Sequence, residues 1–312
     1  MKKPSILLQQ NYMVILLALL CCFLWGSAFP SIKIGYSLFQ VAADDVASQI
    51  FFAGIRFTLA GLLVVLIYSG ARKKLIVPKK TSWGIIGIVA MLQTVLQYFF
   101  FYIGLAHTTG VKASIIEGSH VFMAILLACL LFKQETMTRE KVLGSIIGFS
   151  GVILINLTDA AQLSGGFKLN GEGFLLIACL AYALSSICIK IFSKKESPVV
   201  ISGYQFILGG LIMSAAGWLM GGEIRPVSPK AFLLLLYLAL ISSVAYSVWG
   251  LLLKYNPVSK VSAFGFSNPI FGVVLSALIL KEGADIFWSQ SILSLVLVSG
   301  GIYLVNRAKR TS

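Results

Sequence analysis

Negative charge is scarce in this 312-residue chain: 11 Asp and Glu stand against 25 Lys and Arg, and all four types together make up only 12%. Soluble domains carry about 25% charged residues. With 58% hydrophobic residues and a mean hydropathy of +0.92, the apolar surface exceeds what a water-soluble core can hide, so the solvent is a bilayer. Histidine is rarer still, at two, and the five cysteines (Cys21, Cys22, Cys129, Cys179 and Cys188) all fall inside apolar runs. They have neither metal-ligand spacing nor a disulfide pattern, so no metal and no cofactor is expected. Gly-x-x-x-x-Gly-Lys-Ser/Thr and His-Glu-x-x-His are both missing, which argues against a nucleotide-driven pump and a metalloprotease. An intramembrane enzyme would need convergent nucleophilic, acid/base or metal groups, and the chain is not read as an enzyme. The formal net charge of +14 arises from short clusters between apolar runs, not from one basic face, so nucleic acid is not an expected partner.

What the chain does have is apolar length. Runs near 12–31, 50–69, 83–105, 113–132, 142–157, 174–191, 200–220, 232–253, 262–280 and 287–305 approach the 20 or so residues that a helix needs to cross about 30 Å of hydrocarbon. They lack period-two alternation, so they predict helices and not a barrel. The expected fold is an all-α polytopic membrane protein of ten transmembrane helices. With the amino terminus cytoplasmic, Lys and Arg divide 18 inside to 6 outside, with Arg56 left within the membrane. Both termini are therefore expected in the cytoplasm, for a multi-pass protein of a bacterial cytoplasmic membrane. Lys2 and Lys3 before an apolar run, with Gly26-Ser27-Ala28 after it, resemble a cleaved signal. Trp25 to Ile34 belongs to an internal repeat, however, so an uncleaved first helix is expected.

That repeat pairs Trp25-Gly26-Ser27-Ala28-Phe29-Pro30-Ser31-Ile32-Lys33-Ile34 with Tyr182-Ala183-Leu184-Ser185-Ser186-Ile187-Cys188-Ile189-Lys190-Ile191. Gly151-Val152-Ile153-Leu154-Ile155-Asn156 likewise returns as Gly301-Ile302-Tyr303-Leu304-Val305-Asn306. Five helices per half is an odd number, so the second copy enters from the opposite side and the repeats are inverted. The charges agree, because the basic loop 72–80 corresponds to the less basic 223–230. The expected organisation is a first repeat over 1–157, an extracytoplasmic linker over 158–170 containing Ser164-Gly165-Gly166, and a second repeat with a short basic tail over 171–312.

Trp25-Gly26-Ser27-Ala28-Phe29-Pro30, Arg56 in the second helix, Gly104-Leu105 before the fourth, and a fourth helix ending near Glu135 resemble the drug/metabolite transporter superfamily. The similarity is to its EamA-domain branch, with two five-helix repeats. In the second half Asn268-Pro269, followed by Lys281-Glu282, is similar to the late helix of the repeat and its terminal glutamate. The chain departs from the pattern where His120 and Phe122 stand near a frequent proline, and where Gln205 occupies the position of Arg56. The resemblance implies movement of small organic solutes, often export of amino acids or related metabolites.

The sharpest chemical signal is ionisable groups at membrane depth: Arg56, and Glu117 with His120 three residues on. Such charges cost a few kcal/mol unless paired or wet, and they usually face the bundle interior. Arg56 and Glu117 sit at comparable depths, so they are expected either to line a solute path or to form a structural pair. In the first reading Glu117 takes an ammonium group or a proton and Arg56 a carboxylate. His120 is a candidate proton relay or an interhelical donor. Gln93, Gln97, Tyr98 and Tyr102 on the third helix, Tyr246 and Trp249 on the eighth, and Trp25, Tyr182, Tyr204 and Gln205 are candidate pocket walls. Interfacial aromatic anchors and amides joining helices are the alternative. Gly144, Gly148 and Gly151 predict close helix packing. Pro30 and Pro269 are candidate hinges, and Lys33 and Lys190 should snorkel to opposite surfaces. The expected function is a secondary transporter working by alternating access on a small-molecule solute, with protons as a candidate partner and oligomeric state left open. Its rivals are a lipid or polyprenyl-carrier flippase and a non-transporting sensor or scaffold.

Overall fold

A computed structural model of the chain describes residues 8–133, 136–161, 167–193, 195–256, 261, 263–282 and 288–307. Lys2, Lys3, Glu135, Ser164-Gly165-Gly166, Lys194, Lys260, Asp285, Lys309 and Arg310 lie outside the described residues, as does the Lys190 side chain. No strand occurs among the described residues. They form the rods α1 (Asn11–Leu38), α2 (Val46–Arg72), α3 (Lys80–Ala106), α4 (Gly110–Leu131), α5 (Arg139–Ala161), α6 (Leu169–Gly173 running into Phe174–Phe192), α7 (Pro198–Leu219), α8 (Pro229–Tyr255), α9 (Ala263–Phe266 running into Ser267–Ile279) and α10 (Trp288–Arg307). Eight of them, α1 to α4, α6 to α8 and α10, are long and apolar enough to cross a membrane.

Local chemistry sets the starts. Asp45 Oδ1 accepts from Ser48 N–H at 3.0 Å to cap α2, and Thr109 Oγ1 accepts from Lys112 N–H at 3.1 Å to cap α4. Pro198 and Pro229 open α7 and α8, where a missing N–H costs no hydrogen bond. Two boundaries differ from expectation. Helix α1 runs to Leu38 with Pro30 inside it, seven residues past the expected end, and α5 runs through Ala161, so the start of the expected linker is helical. Apolar segments keep winding past the hydrocarbon edge because a helix satisfies its own backbone.

Two glycine-lined seams join the halves. Along α2 and α7, Gly54 abuts Ser214, Gly61 would place a Cβ 2.6 Å from the Gly203 carbonyl oxygen, and Gly217 would place one 2.5 Å from Phe51 N. As numbers rise along α2 they fall along α7, so the two helices are antiparallel. Helices α5 and α10 repeat this: a Cβ on Gly144 would lie 2.8 Å from the Gly301 carbonyl oxygen, and one on Gly151 2.7 Å from that of Ser294. Each seam pairs the same helix of the two repeats in opposite senses, the contact an inverted duplication produces. The small-residue face expected at Gly144 and Gly151 is present, while Gly148 makes room for both Gly301 and the Phe122 ring. Gly210 sits against the Thr58 backbone. Gly210→Val should therefore force α2 and α7 apart at a cost of about 2–3 kcal/mol. A lowered thermal midpoint in detergent would report it, whereas Gly87→Ala, in open space, should leave the midpoint unchanged or slightly raised.

Candidate functional site

Between the halves lies a cavity of about 820 Å³. Its wall includes Trp25, Arg56, Gln93, Gln97, Tyr98, Glu117, His120, Tyr182, Tyr246 and Trp249, so both repeats contribute and ten of the thirteen sequence-selected residues meet there. Tyr102 does not line it, nor does Tyr204, whose hydroxyl donates to the Ile76 carbonyl oxygen at 2.8 Å, nor does Gln205. Gln205 is fully buried behind α3, where its Nε2 donates to Gln93 Oε1 at 3.3 Å and its Oε1 accepts from Thr94. Helix α3 widens into a π-helix over Ala90–Leu96, the turn that carries Gln93 to the wall and Thr94 to Gln205. Such irregular turns are frequent at functional sites.

Of the two arrangements left open for Arg56 and Glu117, the direct ion pair does not form. Arg56 is 2% exposed and spends its donors on Tyr102 Oη (2.6 Å), Ser242 Oγ (3.0 Å) and the Leu238 carbonyl oxygen (3.2 Å), with its guanidinium 4.8 Å from the Phe57 ring centroid. Among the described residues no carboxylate comes within 4.0 Å of it. The reason is lateral: α2 packs on α7 and α8, whereas α4 packs on α9 and shares Glu117 with α6, so equal depth does not make the two neighbours.

Glu117 instead accepts from Cys179 Sγ at 3.4 Å. His120 Nδ1 lies 2.6 Å from the Glu117 carbonyl oxygen, which assigns the proton to Nδ1, and 3.9 Å from Glu117 Oε1. Its ring stands edge-on to Tyr182, with centroids 4.7 Å apart. Across the cavity Trp25 lies 5.5 Å from Tyr246 and 5.2 Å from Trp249, and the Tyr98 and Tyr246 hydroxyls are 3.1 Å apart. Apart from Arg56, this part of the wall thus consists of aromatic faces around one carboxylate, one imidazole and a few amides. Tyr102 was legible only as a candidate pocket wall, not as the partner of Arg56, while Ser242, which shares that role, and Cys179, which holds Glu117, carried no recognisable sequence signal, because each makes its bond across long stretches of chain.

One end of the cavity reaches Lys79, Lys195, Glu196 and Pro198. There Glu196 Oε2 accepts from Lys79 N–H (3.0 Å) and Ser82 Oγ (2.9 Å), and Lys79 Nζ donates to the Lys195 carbonyl oxygen (2.9 Å). Partial burial opposes ionisation of Glu196, but the N–H groups of Lys79 and Ser197 and the Ser82 hydroxyl outweigh it and hold its carboxyl below the usual range. The opposite end is filled by Tyr36, Phe39, Phe52 and Tyr102, all buried. Beyond this plug lie two ion pairs that cross between the halves. Lys112 Nζ meets Glu172 Oε1 at 2.9 Å, and Glu172 also accepts from the Thr108 hydroxyl at 2.9 Å. Lys33 Nζ, expected only to snorkel, meets Glu282 Oε1 at 3.4 Å, while Glu282 accepts from the Gly110 and Val111 N–H groups at 3.0 and 3.1 Å. A carboxylate there complements the positive end of α4. Backbone bonds from Arg225 N–H to the Phe39 carbonyl (3.1 Å) and from Val227 N–H to that of Leu38 (3.0 Å) add to the same closure.

The EamA-like transporter family matches this chain twice, over residues 12–157 and 169–307. An uncharacterized transporter of Synechocystis sp. is 29% identical, covering 92% of this chain and 88% of its own. A probable amino-acid metabolite efflux pump of Escherichia coli is 26% identical, covering 92% and 93%. The same architecture occurs in a solved crystal structure, with a TM-score of 0.64 at 18% identity over 92% of this chain and 95% of that one. The duplicated match falls on the two halves whose helices line the cavity, and the chain belongs to the EamA-like transporter family.

Proposed function

We propose that this multi-pass membrane protein is a secondary transporter that exports a small organic metabolite by alternating access. The observation that carries the reading is a cavity built from both repeats, open towards Lys79 and Lys195 and closed at its far end by a plug and two ion pairs. In this reading all ten rods cross the bilayer, in repeats 1–157 and 171–312 with the 158–170 connection outside. The open end and both termini then lie on the side that carries 18 of the 24 basic residues placed outside the membrane. On this proposal the arrangement is an inward-open state, and rocking of the halves about the antiparallel seams would close the inner mouth and break the outer ties. The printed name of the Escherichia coli relative, an efflux pump, supports the outward direction.

The test is flux. Metabolites that accumulate in cells lacking the protein should leave proteoliposomes that contain it, and not protein-free vesicles. If no accumulated metabolite moves, the transporter reading is withdrawn.

A further inference from the structure

The cavity wall also carries information about the charge of its cargo. Glu117 presents its carboxylate at the cavity with a side chain 12% exposed. Its contacts among the described residues are a thiol, Cys179 at 3.4 Å, and an imidazole nitrogen at 3.9 Å that already donates to a backbone carbonyl. No lysine or arginine among the described residues comes within 4.0 Å of it. Lys79 and Lys195 stand only at the open end of the cavity, and Arg56, the basic group nearer its middle, is braced by the protein: three of its five N–H groups, on Nε, Nη1 and Nη2, donate to α3 and α8, and the residue is 2% exposed. Glu117 is in the opposite condition, an acceptor-only group when ionised, with no cation supplied by the fold.

Around it the wall is aromatic. Tyr182 stands beside His120, and Trp25, Tyr246 and Trp249 cluster with centroids 5.2 to 5.5 Å apart. Aromatic faces attract an organic cation, most strongly when water is excluded, and bury its apolar body as well. They offer nothing comparable to an anion.

We infer that the cavity selects an amphipathic organic amine, its ammonium group taken by Glu117 and its apolar body by the Trp25–Tyr246–Trp249 wall. This rests on the transporter reading for its biological meaning, but it is a statement about binding and is tested as one. A free acid lacks the group that Glu117 requires, and a zwitterion brings a carboxylate that the Glu117 carboxylate repels.

The probes are phenethylamine, phenylalanine and phenylacetate, which share a phenyl body and differ in charge. Binding to the purified full-length protein in detergent is measured by calorimetry. Phenethylamine should bind at least about tenfold tighter than phenylacetate, with phenylalanine between them. Glu117→Gln should weaken phenethylamine by about tenfold or more at an unchanged thermal midpoint, and Glu117→Asp should restore part of the affinity. Trp249→Leu should weaken it without creating a preference for the acid. Phenylacetate binding as well as the amine, an amine affinity unmoved by Glu117→Gln, or no binding of any of the three overturns the inference. Flux separates this from the wider reading. An amine that binds but is never transported removes the transporter and keeps the selectivity; transport of an acid by the Glu117→Gln protein does the reverse.

Discussion

Arg56→Leu should lower the stability of the purified protein by about 2–4 kcal/mol and sharply reduce the folded yield. The guanidinium joins three elements through three hydrogen bonds, and bonds to a charged group contribute about 1.5–3 kcal/mol each. Against that stands the cost of holding a charge at membrane depth, a few kcal/mol, which the leucine variant escapes. The balance favours arginine because leucine leaves the Tyr102 and Ser242 hydroxyls without their charged donor in a site 2% exposed, the Leu238 carbonyl keeping its helical bond. Arg56→Lys should fall between the two, since an ammonium keeps the charge but cannot span three partners in fork geometry. Denaturant or thermal unfolding in detergent decides the matter. A leucine variant with the wild-type midpoint but no transport would move Arg56 from brace to solute contact.

The second large effect is expected at the outer closure. In a protein with its native cysteines replaced and Ala28→Cys placed in the cavity wall, an impermeant maleimide added outside should react slowly. Adding Glu172→Gln and Glu282→Gln should raise that rate at least about tenfold. Both pairs are well sheltered, with side-chain exposures of 8% and 4% for Lys112 and Glu172, and 23% and 13% for Lys33 and Glu282. Charged hydrogen bonds of this kind contribute about 1.5–3 kcal/mol, so losing two shifts a closed-to-open equilibrium by a factor well above ten. Glu223→Gln is the control. Its ion pair with Arg225 is 65% and 75% exposed and screened by water, so its loss should leave labelling unchanged. An unaltered rate in the double variant would assign the closure to the aromatic plug alone.

The sequence was most informative where physics is local. Apolar run length marked helices that the fold contains, and the spacing of Gly144, Gly148 and Gly151 marked a seam that is there. Ten of the thirteen candidate wall residues line the cavity, because polarity and aromaticity inside an apolar helix are unusual by themselves. Gln205 was misplaced for the same reason: an amide in a membrane helix is conspicuous whether it faces a cavity or, as here, another amide. Glu172 and Glu282 were legible only as loop charges, since nothing in their neighbourhood names Lys112 or Lys33, more than fifty residues away in each case.

By itself the sequence determined the solvent, the secondary structure, the duplication and the depth of each group, because hydropathy and a rise of about 1.5 Å per residue act along a single helix. Tertiary structure alone decided who meets whom. Depth is one coordinate, and the other two come from how helices pack. The antiparallel α2–α7 and α5–α10 seams give Arg56 to Tyr102 and Ser242, leave Glu117 facing the cavity without a basic partner, and bring Glu172 and Glu282 across to close its far end.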